Sequence, residues 1–271
     1  MRQLLLGLLL MALSLPGFGA PKAELWERWA THGSGKAAAI DHGDWNAFLQ
    51  KYVKPGKDGV NLVAYGRVSK ADRRALDGYV QKMQGVAISK SARPEQRAYW
   101  INLYNATTVK VILDHYPVAS ITKINISPGI FAKGPWGKKL LEIEGEAVSL
   151  DDIEHRILRP IWPDPRVHYA CNCASIGCPN LAAVAYSPAN MEELLDAGAR
   201  AYVNHPRGAN VENGRLTVSS IYQWYIADFG GADQGVIEHL KKYAEPALAK
   251  KLAGVTRISG GQYDWSLNEP S

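Results

Sequence analysis

Apolar residues recur three and four positions apart along residues 94–116, where Ala98, Ile101, Val109 and Ile112 fall on one face. Pro94 suits a first helical turn and Pro117 stops the run, so the pattern predicts one long helix. The same period puts Trp45, Phe48, Leu49 and Tyr52 on one side of a helix over 44–53. It predicts further helices over 24–30, 188–204, 236–243 and 246–253. Ser69 with Asp72, and Ser149 with Asp152, have capping-box spacing and open expected helices over 69–83 and 150–158. Ser220 with Gln223 opens another that runs through Tyr225. Alternating or short apolar runs predict strands over 60–65, 121–126, 166–172 and 257–263. Glu144-Gly145 and Asn213-Gly214 are expected to turn hairpins over 140–148 and 209–219. Helices and strands follow in irregular order instead of alternating as βαβ units. The expected fold is therefore α+β, a single domain over 21–271 with mixed helices and a small, mostly antiparallel sheet.

The first twenty residues break this periodicity. A short positive start with Arg2, an apolar run from Leu4 to Leu15, and the small-residue segment Pro16-Gly17-Phe18-Gly19-Ala20 read as a secretory signal peptide cut near residues 19–20. The expected location is periplasmic or secreted. About twelve apolar residues are too few for a comfortable permanent span, which wants about twenty. No later run is longer, so no transmembrane segment is expected in the mature chain. With 46% hydrophobic residues, 21% charged and eight tryptophans, the chain can bury a sizeable core. The formal charge of +5 is spread without a cluster of Lys and Arg interleaved with aromatics, which argues against a nucleic-acid partner.

Three cysteines, Cys171, Cys173 and Cys178, lie within eight residues, and in an oxidising compartment an odd count leaves one thiol unpaired. The segment admits three readings. Cys171 and Cys173 are too close for an unstrained bridge, so a structural disulfide would join Cys178 to one of them around Gly177. His168 with the three cysteines has zinc-ligand chemistry but a spacing that matches no familiar site, and no metal or cofactor is expected. A thiolate following a strand, beside an imidazole and turn amides, is a nucleophile for an acyl carbon.

His155 shares a helix face with Asp151, Asp152 and Arg159, where a carboxylate one turn away would fix its tautomer and raise its basicity. Strand alternation at 166–172 would put His168 opposite Cys171 and Cys173. Asn102 and Asn105 lie on the core face of the long helix. Buried amides must be bonded, so they either tie the helix to loop backbone or orient a catalytic imidazole. Trp136, within Lys133-Gly134-Pro135-Trp136, is either packed or part of a recognition loop.

Three ordered blocks, from Ala98 to Ala106, from Ser149 to Arg159, and from Arg166 to Pro179, together resemble the domain of unknown function family 547. The likeness covers about residues 90–205, and Ile221-Tyr222-Gln223-Trp224-Tyr225 with Asp228-Phe229 resembles the family too. The resemblance implies a cysteine at Cys173, a histidine at His155 and asparagines at Asn102 and Asn105. It points to a Cys173, His155, Asn105 arrangement, with Asn102 as the alternative orienter, similar to papain and transglutaminase-like enzymes. Cys171 departs from the pattern: it either pairs with Cys178 and leaves Cys173 free, or captures Cys173. The resulting expectation is a thiol-dependent hydrolase or acyltransferase acting on peptide-like amides of the cell envelope, with Trp136, Arg159 and His168 binding substrate. The alternative is a non-catalytic binding or structural module stabilised by a disulfide.

Overall fold

The computed structural model describes residues 21–34, 39–129 and 132–270. The expected signal peptide and its cleavage position lie outside the described residues. After a 3-10 turn at Glu27–Ala30 come α1 (Gly43–Tyr52), β1 (Val53–Pro55), β2 (Asn61–Val63) and α2 (Lys70–Gln84). Ser69 accepts the Asp72 amide, as the capping box predicts. Then follow α3 (Arg93–His115), β3 (Lys139–Ile143) and β4 (Glu146–Ser149). Glu144 (φ 49°) and Gly145 (φ 83°) turn the β3–β4 hairpin in the left-handed region that such a two-residue loop demands.

A π-helix, Asp152–Leu158, runs into α4 (Arg159–Ile161), followed by α5 (Val167–Ala170) and α6 (Met191–Val203). The second capping box is formed here: the Asp152 amide donates to Ser149 Oγ at 3.1 Å and the Ser149 amide to Asp152 Oδ2 at 2.8 Å. The last third comprises β5 (Ala209–Glu212), β6 (Arg215–Ser219), α7 (Ser220–Trp224), α8 (Asp233–Tyr243), α9 (Pro246–Leu252) and β7 (Ile258–Gln262). β5 and β6 are antiparallel, and β7 returns parallel to β6 after the three helices. With antiparallel pairs β1–β2 and β3–β4, the fold is α+β with small, mostly antiparallel sheets.

Several elements differ from expectation, each for a local reason. Residues 121–126 form a 3-10 turn, Ile121–Lys123, because Ser120 caps it and the buried Ile121 and Ile124 are three apart, which suits a helical turn better than a strand. Residues 166–172 contain α5, not a strand: Asp164 accepts the Arg166 amide at 2.9 Å and starts the turn. The strand over 60–65 shortens to β2, since Tyr65–Arg67 coils into a 3-10 turn. Ser187 and Asn190 form a turn ahead of α6, which starts at Met191 instead of residue 188.

The winding at Asp152–Leu158 follows from Pro160. The Arg159 amide reaches back five residues to Glu154 O, and Pro160 has no amide for the carbonyls of His155 or Arg156. An N-terminal strap supplies the missing donors: Glu24 N donates to His155 O and Trp26 N to Arg156 O, both at 3.0 Å.

α3 is buried nearly all round, at the centre of the larger of two apolar clusters; the smaller one lies among α6, β5, β6 and α8. Asn102 and Asn105 enter the core as expected and tie α3 to loop backbone. Asn102 Nδ2 donates to Tyr186 O at 2.8 Å, and its Oδ1 accepts the Tyr186 amide at 2.9 Å. Asn105 Nδ2 donates to Ala170 O and its Oδ1 accepts the Asn172 amide, both at 2.8 Å. Each amide is spent on backbone, so neither orients an imidazole as the alternative reading had it.

Asn105→Ala orphans a buried carbonyl and a buried amide, at about 1–3 kcal/mol each. Urea unfolding is expected to show that loss as a lower midpoint at unchanged slope. A change within about 0.5 kcal/mol, the size of an ordinary surface substitution, contradicts the role assigned to this side chain.

Candidate functional site

The cysteine segment is a loop held on both sides. From within, Asn172 Nδ2 donates to Pro179 O at 2.7 Å and Asn172 Oδ1 accepts the Ala174 amide at 2.8 Å. Ala174 takes a left-handed φ of 57° there. From outside, the C-terminal segment lies along it: Ile176 N donates to Ser266 O and Gly177 N to Asp264 O, both at 2.8 Å. A Cβ at Gly177 would stand 2.7 Å from the Asp264 amide nitrogen, so only glycine permits this approach. Asn105 fixes the near end through the Asn172 amide.

This packing turns the partly exposed Cys173 onto a cavity of about 360 Å3, a size suited to a small ligand. Its walls include Trp136, Trp224, Tyr225, Tyr263 and Trp265, and Asp151, Glu154, His155 and His168 also line it. Cys173 Sγ lies 2.9 Å from Cys178 Sγ, 2.9 Å from Tyr263 Oη and 3.4 Å from Ser175 Oγ. These contacts govern its ionisation. The hydrogen bond from Cys178 lowers the Cys173 pKa, burial works against it, and the Ser175 and Tyr263 hydroxyls lower it further, so the net direction is down. Burial pushes the thiols of Cys178 and Cys171 well up, which keeps Cys178 a donor. A thiolate at Cys173 is thus held by neutral S–H and O–H groups, with no imidazole among its hydrogen-bond partners.

Behind the cavity lies a charged chain. His168 Nε2 stands 2.7 Å from Asp228 Oδ2 and its Nδ1 is 3.7 Å from Glu154 Oε1. The Tyr225 ring stacks on the imidazole with centroids 4.0 Å apart. Burial opposes ionisation of Glu154, but the adjoining imidazoles of His155 and His168 and the hydrogen bond from Tyr104 bring its pKa down to about 2. Arg159 grips Asp228 through Nε at 2.6 Å and Nη2 at 3.1 Å, and its Nη1 donates to Pro21 O at 2.7 Å. The same Nη1 stands 3.1 Å from His155 Nδ1.

That last contact revises the role expected of His155. A guanidinium only donates, so Nδ1 must accept and the proton of the neutral ring sits on Nε2, which faces Asp151 Oδ1 at 3.7 Å. Burial, with the Arg159 charge adding to it, lowers the His155 pKa. The ring is therefore a poor base: its free lone pair is engaged by Arg159. Asp151 is the group placed near neutrality, because burial and the charges of Glu154 and Asp152 raise its pKa to about 6. Asp152, expected on the same face, points away and bonds Ser149, Lys139 and Arg156.

The structure brings Cys173, His155, His168 and Trp136 to one cavity, with Cys171 and Cys178 in its wall. Asn102 and Asn105 stay in the core, and Arg159 acts from behind His155. His168, which strand alternation put opposite the thiols, faces the cavity because α5 is helical. Cys171 and Cys178 are free thiols, not a bridge, and it is Cys173 whose sulfur lies against Cys178. Among the described residues no three His, Cys, Asp or Glu side chains are placed to hold a metal ion. Sequence reasoning missed Tyr104, Tyr263 and Trp265, and gave no site role to Glu154, Asp228, Trp224 or Tyr225. The only local signal was aromatic density in Trp224-Tyr225 and in Tyr263-Asp264-Trp265.

Fold and site together define an α+β protein with a thiol at the floor of an aromatic-walled cavity. The sequence profile of the family described as "Protein of unknown function, DUF547" matches residues 88–203, and this segment of the chain belongs to that family. No curated protein and no solved structure matches the chain. The family segment supplies the cysteines, both imidazoles, Glu154 and Asp151. Trp224, Tyr225, Asp228, Tyr263 and Trp265, which complete the cavity and its charged chain, come from outside it.

A thiol held in this way alkylates through its thiolate, so the iodoacetamide rate at Cys173 is expected to rise with pH to a midpoint below that of an ordinary cysteine. Tyr263→Phe removes one donor and moves the midpoint up. Each pH unit of that rise slows the neutral-pH reaction about three- to fourfold, since tenfold less thiolate is partly offset by greater nucleophilicity. Peptide mapping checks the position; a wild-type midpoint at or above the ordinary thiol value overturns the assignment.

Proposed function

We propose that the chain is an exported thiol-dependent hydrolase or acyltransferase, with Cys173 as its nucleophile. The observation that carries this reading is the Cys173 sulfur, partly exposed at the cavity and surrounded by three hydrogen-bond donors that favour its thiolate. Attack on an acyl carbon forms a thioester and expels an amine or alkoxide that needs a proton. Asp151, raised to about 6 by burial and the charges of Glu154 and Asp152, is the residue suited to give that proton and to take one back from water or an acceptor. Trp136, Trp224, Tyr263 and Trp265 offer flat apolar walls to an acyl group. The leader-like first twenty residues support action in the cell envelope, on peptide or peptidoglycan-like amides.

The test is acyl capture. Reduced protein is mixed with p-nitrophenyl acetate and, in parallel, with fluorogenic peptide amides, then quenched in acid for intact mass and peptide mapping. The expected result is a burst of leaving group and an acetyl adduct on Cys173 that Cys173→Ala abolishes. Asp151→Asn slows turnover by about 10²–10⁴, the usual contribution of a positioned acid or base, while leaving alkylation of Cys173 intact. No adduct with any acyl probe, or an adduct confined to Cys171, removes the enzyme reading and leaves a binding module.

A further inference from the structure

The 2.9 Å separation of the Cys173 and Cys178 sulfur atoms allows more than the hydrogen bond that favours the Cys173 thiolate. Cys173 N also points at Cys178 Sγ, at 3.0 Å, so the two side chains are folded onto one another across a six-residue loop. A disulfide bond is about 2 Å long, and the sulfurs need to close by less than one ångström to make it. The loop that carries them is pinned at Ile176 and Gly177 to the C-terminal segment and at Asn172 to α3, so the pair is held in register in the reduced chain. Cys171 is set apart: its sulfur is buried and has no hydrogen-bond partner among the described residues.

We propose that Cys173 and Cys178 form a dithiol–disulfide couple that takes a small disulfide as co-substrate, with Cys173 as the attacking sulfur and Cys178 as the resolving one. In the first step Cys173 thiolate attacks one sulfur of the small disulfide; a mixed disulfide forms and one thiolate leaves. In the second, Cys178 gives its proton to that departed thiolate, and its sulfur attacks Cys173, expelling the second thiolate. One disulfide bond has formed in the protein and one has broken in the co-substrate; the two cysteines are oxidised and the small disulfide is reduced to two thiols. The asymmetry of the pair fits this order, since the attacker is partly exposed and ionisable while the resolver is buried and protonated. The cavity admits a small disulfide to Cys173, and oxidation then removes the nucleophile from any acyl chemistry until a thiol reduces the bridge.

This proposal does not rest on the acyl-transfer reading, and the experiment separates the two. Reduced full-length protein is exposed to cystamine and, in a second arm, to oxidised glutathione, then acid-quenched and alkylated with N-ethylmaleimide. Mass spectrometry is expected to find the loss of two hydrogen atoms, a Cys173–Cys178 bridge, and alkylation confined to Cys171. Cys178→Ser is expected to halt at a stable mixed disulfide on Cys173, and Cys173→Ser to form no adduct at Cys178. If wild type instead stops at the mixed disulfide, or bridges Cys171 to Cys178, the couple is overturned, and wild-type mapping decides this without any variant. Rapid acylation of Cys173 in a chain that forms no bridge sinks the couple alone; a bridge without acylation sinks the acyl-transfer reading alone.

Discussion

The position of one sulfur atom depends on a single buried amide. Asn105, inside a helix with no access to water, bonds the carbonyl of Ala170 and the amide of Asn172, and so welds the end of α5 and the start of the cysteine loop to the core. Leaving those groups unpaired in an apolar interior costs more than a bond between exposed groups contributes, which holds the loop in one place. With that anchor set, the C-terminal segment has a surface to pair with, and it carries Tyr263 and Trp265 to the cavity.

A second constraint starts from a missing proton. Pro160 cannot donate to His155 O or Arg156 O, so the helix before it widens and the strap at Glu24 and Trp26 fills the gap. The same segment puts Glu154, His155 and Arg159 around one junction, where Arg159 meets Asp228, Pro21 O and His155 Nδ1 together. Arg159 thereby fixes the tautomer of His155, and that ring turns its remaining proton to Asp151. The carboxyl expected to tune a basic imidazole is instead the titrating group, and the imidazole is held neutral.

The chemistry expected of a Cys–His–Asn arrangement is distributed differently from that template. Asn105 positions backbone, the imidazoles serve an acidic chain, and the thiolate of Cys173 is favoured by Cys178, Ser175 and Tyr263. Hydrogen bonds to the charged form lower a pKa as surely as a cationic neighbour does. A donor that is itself a thiol, however, binds nucleophilicity to the redox state of its neighbour, which is how one loop serves both proposals made for it.

Local sequence determined what local forces govern. The capping boxes at Ser69 and Ser149, the length of α3, the hairpin turns at Glu144-Gly145 and Asn213-Gly214, the α+β class and the family were all legible, because each rests on residues within a few positions of one another or on their order. The three cysteines, His155 and His168 stood out by type. What only the tertiary structure decided was which atoms meet: the helical form of α5, which turns His168 to the cavity; the capture of Asn102 and Asn105 by backbone; and the arrival of Tyr263 and Asp228 from 90 and 60 residues beyond Cys173 and His168. Hydrogen bonds and charges act over a few ångströms of space, and separation along the chain carries no trace of them until the two cores close.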